Sequence, residues 1–225
     1  MTRPSLARRC FAEAFATFAL VFAGCGAIVL DSERDGSLGS TGIAAAFGLV
    51  IMAMVYATGH LSGAHINPAV SVAFSATRHF PLREAVAYIP SQLVGAVMGA
   101  LLLRRVWEGT PADLGATVPS VGLGSALVYE GAMTAFLMFV IMAVATDTRA
   151  VGATAAIAIG GTVALDSLFG GGVTGASMNP ARSFGPALVA GEWQDFWVYV
   201  VGPVLGALAG AFAYELARGE SEAAL

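Results

Sequence analysis

Two short strings carry the residues best suited to chemistry. "SGAHINPAVSVAF" (62–74) and "GASMNPARSFGPAL" (175–188) each hold an Asn-Pro-Ala: Asn67, Pro68 and Ala69, then Asn179, Pro180 and Ala181. Proline suits the first position of a helix, where its missing N–H costs nothing. That puts each asparagine at an N-cap, its side-chain oxygen accepting from first-turn backbone N–H groups. The amide NH₂ is left free to point elsewhere. A helix N-terminus carries roughly half a positive charge, and Arg182 adds a fixed charge about one turn beyond Asn179. The chemistry on offer is hydrogen-bond donation to a neutral acceptor at a positive potential. Cations and protons are disfavoured at such a place.

The elements that hold these motifs follow from composition. The chain has 225 residues, 57% hydrophobic and 12% charged, with mean hydropathy +0.76. A soluble domain carries about 25% charged residues, so this is an integral membrane protein. Without a basic run, nucleic acid is not an expected partner; the lipid bilayer is. Cys10 and Cys25 both fall in the first apolar segment and read as small buried residues. That segment is too long for a signal peptide and is interrupted by Glu13, so it reads as a retained span.

Six apolar runs reach the ~20 residues that a bilayer core requires: roughly 8–30, 41–60, 83–106, 125–146, 151–169 and 195–217. Two others, about 68–77 and 180–189, are half that length and begin at the two Asn-Pro-Ala strings. The halves repeat. Glu13 opens "EAFATFALVFAG" and Glu130 opens "EGAMTAFLMFVI"; "SGAHINPA" answers to "TGASMNPA", and "YIPSQLVGAVMGA" to "YVVGPVLGALAGA". Each unit has three spans and a half-span, so the second enters the membrane from the opposite side. The expectation is one domain over 1–225, made of inverted repeats at about 6–106 and 123–217. The two half-helices then meet tip to tip at mid-membrane. With both termini cytoplasmic, Arg3, Arg8, Arg9, Arg78, Arg83, Arg149 and Arg218 lie inside and Arg34, Arg104 and Arg105 outside, which fits the positive-inside rule.

These motifs, over essentially the whole chain, resemble the aquaporin, or major intrinsic protein, family. The resemblance implies an all-α membrane protein: a right-handed bundle of six transmembrane helices plus two re-entrant half-helices, with one pore per subunit, in a homotetramer. It also implies an outer selectivity filter at Phe47, Ser167, Ala176 and Arg182. Phe47 and Arg182 are similar to strict water channels, which usually carry histidine where this chain has Ser167. The smaller Ser167 and Ala176 imply a wider filter. "GASMNPARS" is similar to the nodulin-like branch.

The expected function is a passive channel for water, extended to small uncharged solutes and closed to protons and ions. Passage of glycerol or of metalloid hydroxides (arsenous, boric or silicic acid) is the alternative. A secondary transporter is the rival from another class, but it calls for a buried charge cluster at mid-membrane rather than two asparagines. No enzyme, cofactor or metal is expected. Glu13 and Glu130 read as acceptors for re-entrant backbone N–H groups, and His65 as lining for the cytoplasmic half of the pore. His60 reads as a packing histidine, Asp166 as a loop anchor, and the Gly95/Gly99 and Gly206/Gly210 pairs as close-packing positions. The expected location is the plasma (cell inner) membrane, and "RGESEAAL" reads as a solvated tail.

Overall fold

The computed structural model describes residues 3–147, 149 and 154–219. The described residues form α1 (Leu6–Glu33), α2 (Gly39–Ser62), α3 (Pro68–Ala76), α4 (Leu82–Val106), α5 (Leu123–Thr146), α6 (Ala155–Thr174), α7 (Pro180–Ala190) and α8 (Val198–Arg218). All but α3 and α7 are long and apolar enough to span a membrane. At 1.5 Å per residue the 9-residue α3 and 11-residue α7 reach about half of a bilayer core. This is the expected all-α arrangement of six transmembrane helices and two re-entrant half-helices.

Two boundaries depart from the sequence reading. The first span runs on to Glu33, through a π-type turn at Val21–Cys25. The fifth was expected at 151–169, but it covers Ala155–Thr174, and residues 151–153 lie outside the described set. Gly170, Gly171 and Gly172 lie beyond the expected end at 169, yet they are helical. Gly170 is pressed against α5, where a Cβ would come 2.2 Å from Met133 Sδ. The helix stops instead at Gly175, whose φ of 85° is left-handed. The tail from residue 220 onward also lies outside the described residues.

The bundle is held by backbone-to-backbone crossings. A Cβ on Gly95 would meet Ala14 O at 2.0 Å, which fixes α4 against α1; one on Gly206 would meet Gly131 O at 2.1 Å, which fixes α8 against α5. Gly48 and Gly160 approach each other's carbonyls in the same way, joining α2 to α6. Without a hydrophobic drive between helices in lipid, such close van der Waals contact is what associates them. The matching crossings in the two halves carry the internal repeat from sequence into packing.

Candidate functional site: a path between the half-helices

Both half-helices start as the motifs predict. Asn67 Oδ1 accepts from Ala69 N–H at 2.9 Å; Asn179 Oδ1 accepts from Ala181 and Arg182 N–H at 3.0 and 3.3 Å. Their amides, however, are not wholly free. Asn67 Nδ2 donates to Met178 O at 2.7 Å, and Asn179 Nδ2 donates to Ile66 O at 2.9 Å. Each asparagine thus spends one N–H on the other half's loop, joining the two tips, and keeps one.

The loops before the tips contain a matched series of left-handed residues. Gly63, Ala64 and Ile66 have φ of 93°, 49° and 56°; Gly175, Ala176 and Met178 have 85°, 44° and 52°. Non-glycine residues pay for this conformation, and the buried acids hold them in it. Glu13 accepts from Ser62 Oγ, His65 N, Ile66 N and Gln92 Nε2 at 2.6–2.9 Å. Glu130 accepts from Thr174 Oγ1, Ser177 N and Met178 N at 2.6–2.9 Å. Both carboxyls are fully buried. Tyr88 and Tyr199 add a matched pair of bonds to Ser62 O and Thr174 O, each 2.7 Å.

Three cavities lie in series through the molecule. An outer one of ≈ 440 Å³ is bordered by Ser167, Phe47 and Arg182. A narrow middle one of ≈ 60 Å³ takes in Phe47, Ala176, Arg182, both asparagines and His65. An inner one of ≈ 500 Å³ begins at Gly63, His65 and Phe74. Phe47 and Arg182 border both the outer and the middle cavity; His65 borders both the middle and the inner one. Of the four expected filter positions, Phe47 and Arg182 therefore stand at the outer neck, with Ser167 on its outer side and Ala176 on its middle side, and His65 stands at the inner neck. At about 10–15 Å³ for each water, the middle cavity holds a short file. Its remaining wall is mostly aliphatic, as in Ile51, Leu137 and Ile141.

Arg182 is 1% exposed. Its Nη1 donates to Gly115 O at 2.6 Å, and its Cζ stands 5.0 Å from the centre of the Phe47 ring. Among the described residues Nε and Nη2 have no partner, and neither has Ser167 Oγ. Hydrogen-bonding capacity is thus concentrated near the outer neck, alongside the apolar Phe47 and Ala176.

Sequence reasoning missed two supports of this neck. Gly115 ends a turn in which Ala112, Asp113 and Leu114 all have left-handed φ (46°, 47° and 54°), and that turn presents its carbonyl to Arg182. Gly24 sits behind Phe47, where a Cβ would fall 2.3 Å from the ring. Neither glycine lies near a motif; each matters only through a contact with a distant element. Two readings need correction. Asp166 anchors no loop: it is fully buried, and neither carboxyl oxygen has a partner among the described residues. His60 is not packed away but exposed, on the wall of the inner cavity.

Six spans, two capped half-helices joined at their tips and a narrow path between two wide mouths define a class: a membrane channel with doubly re-entrant architecture. The chain belongs to the Major intrinsic protein family, whose profile matches residues 1–214. It is 47% identical over 211 residues to Aquaporin NIP1-1 of Oryza sativa subsp. japonica, covering 94% of this chain and 74% of that protein. It is 49% identical over 207 residues to Nodulin-26 of Glycine max, covering 92% and 76%. The aquaglyceroporin from Plasmodium falciparum, a solved structure, superimposes with a TM-score of 0.82 at 27% identity, covering 93% of this chain and 96% of that one. The family is one of channels rather than enzymes.

Proposed function

We propose that the chain is a passive channel for water and small uncharged solutes such as glycerol, closed to protons and ions. The observation that carries this reading is the outer neck. Arg182 Nε and Nη2 and Ser167 Oγ have no hydrogen-bond partner among the described residues, and apolar Phe47 and Ala176 border the same stretch of the path. A polyol with hydroxyls along one edge and C–H groups along the other suits both kinds of group. Water suits it too. An ion would have to shed its hydration shell to enter the aliphatic middle cavity, at a cost that wall cannot repay. The two helix tips and Arg182 add a positive potential against cations. Metalloid hydroxides share the neutral, multiply hydroxylated form and are a second class of solute for the same neck.

In this reading the selectivity filter is Phe47, Ser167, Ala176 and Arg182. Asn67 and Asn179 turn each molecule at the tips, Glu13 and Glu130 support the loops, and His65 lines the cytoplasmic half. The whole chain acts as one channel domain within a homotetramer in the plasma membrane, with both termini cytoplasmic. Stopped-flow swelling of proteoliposomes under inward glycerol and sucrose gradients tests it. Glycerol entry that rises linearly with gradient, needs no sodium or proton gradient and comes without a proton leak is the expected result. Osmotic water flow without glycerol entry overturns the wider-filter reading. Saturable, ion-coupled entry overturns the channel reading.

A further inference from the structure

The chain has three histidines, and all three, His60, His65 and His79, line the inner cavity together with Arg3 and Arg9. No aspartate or glutamate lines it among the described residues. Permeation of neutral solutes gives no reason for such a collection at one mouth. The outer cavity differs, since Asp31 lines it together with Arg182.

The acids bonded to or flanking its wall are already engaged, beginning with the fully buried Glu13, which accepts from Ser62 Oγ, His65 N, Ile66 N and Gln92 Nε2. Glu84 lies between two guanidinium groups, accepting from Arg9 Nη1 at 2.6 Å and Arg3 Nη2 at 2.8 Å. One carboxylate between two fixed cations leaves a net positive charge. Glu215 is shared between His79 Nε2 at 2.7 Å and Arg218 Nε at 3.2 Å. Asp147 accepts from Arg149 at 2.6 Å and from Tyr214 Oη at 2.8 Å. Hydrogen bonds from Arg149 hold its carboxyl well below the usual carboxylate range, so it stays paired as an anion. Arg9 is itself 95% buried, being only 5% exposed, and its Nε has no partner among the described residues. Taking a guanidinium out of water with one of its donors unpaired is costly. An anion in the adjoining space repays that cost through field and hydrogen bonds to the guanidinium and imidazole groups.

We propose that the inner cavity, walled by Arg3, Arg9, His60, His65 and His79, is a binding site for a small phosphate-class oxyanion that blocks the path when occupied. The cavity, at ≈ 500 Å³, admits such an ion with water around it. The ion goes no further, because the next space is ≈ 60 Å³ with a largely aliphatic wall. It stops above the His65 and Phe74 neck and stands in the way of every neutral molecule behind it. The block, though not the binding, rests on the channel reading given above.

Two measurements separate these parts. In the first, purified full-length protein in a maltoside detergent is titrated calorimetrically with inorganic phosphate, with chloride as the control. Saturable phosphate binding that chloride does not reproduce is expected. The double variant His60→Ala with Arg3→Ala should weaken it roughly three- to five-fold, as for exposed charge pairs. Both side chains lie outside the narrow path, so permeability without phosphate should stay at the wild-type level. In the second, proteoliposomes of phosphatidylcholine are loaded with phosphate inside, outside or on both sides at equal osmolarity. Because insertion is mixed, either side alone should slow part of the water flux, and both sides together should slow the rest. Absence of saturable binding, or binding unchanged in the double variant, overturns the site. Binding without slowing in an active channel overturns the block. Slowing caused by phosphatidylglycerol without added phosphate, and relieved in the variant, assigns the chemistry to a lipid headgroup and overturns the free-ion form. Absence of basal flux, with binding intact, instead sinks the channel reading and leaves the site standing.

Discussion

Asn67 and Asn179 each donate to the backbone carbonyl just ahead of the other's helix: Nδ2 of Asn67 to Met178 O and Nδ2 of Asn179 to Ile66 O. The two motifs are therefore one joint. Each side chain caps its own half-helix with its oxygen and secures the opposite loop with its nitrogen. This reciprocity keeps two electropositive helix ends pressed together at the middle of the path, against their mutual repulsion.

Asn179→Asp tests the joint. The aspartate keeps the capping oxygen but cannot donate to Ile66 O, and it adds negative charge where the tips are positive. A buried carbonyl losing its partner costs about 1–3 kcal/mol. The expected outcome is a folded channel with a lower melting temperature and a measurable cation leak, read from a pH-sensitive dye and a potassium electrode in proteoliposomes. Unchanged ion exclusion would show that the tips do not control it.

Ser167→His tests the width of the outer neck. An imidazole in place of a hydroxymethyl would project into the space bordered by Phe47 and Arg182. A steric and desolvation barrier of about 1.4 kcal/mol corresponds to tenfold in rate. Glycerol entry should fall by roughly that factor or more, while osmotic water flow changes far less. Glycerol passage unaffected by the substitution would place the constriction elsewhere.

Much of this architecture was legible because it rests on local rules. Hydropathy set the six spans, Asn-Pro set both half-helix starts, and the repeated Glu13 and Glu130 marked the loop supports. Departures from that reading arose where a tertiary contact outweighed a local signal. The fifth span was expected to end at 169 but runs on to Thr174, with Gly170 packed against Met133. The Gly115 carbonyl became visible only once its turn was placed beside Arg182. Asp166 shows the same limit from another side: its neighbour Ser167 lines the outer cavity, whereas its own carboxyl is buried without a partner among the described residues, which no spacing rule predicts.

Glu130→Gln separates a structural acceptor from a proton carrier. Glu130 accepts three hydrogen bonds through two oxygens. Glutamine retains one acceptor oxygen and turns an NH₂ toward groups that already donate. At least one buried N–H or O–H loses its partner, at about 1–3 kcal/mol. Thermal stability in detergent should drop and water flux should fall with the folded fraction. Flux per folded channel should stay independent of any proton gradient, in the variant as in the wild type. A proton-coupled flux lost in the variant would reverse the assignment.

Gly24→Ala probes the wall that no motif marks. The new methyl would occupy a point 2.3 Å from the Phe47 ring, too close for two carbons, whose preferred separation is about 3.5–4.0 Å. The ring is the end of a side chain and can swing, and the space open to it is the neck beside Arg182. Two effects follow together. Overpacking should cost about 1–3 kcal/mol in thermal stability, and the displaced ring should slow glycerol more than water, because glycerol needs the wider opening. Gly95→Ala, which strikes the Ala14 carbonyl away from the path, serves as the control: it should lower stability with no change in the glycerol-to-water ratio. If both variants shift that ratio alike, Gly24 acts through helix packing in general and not through Phe47.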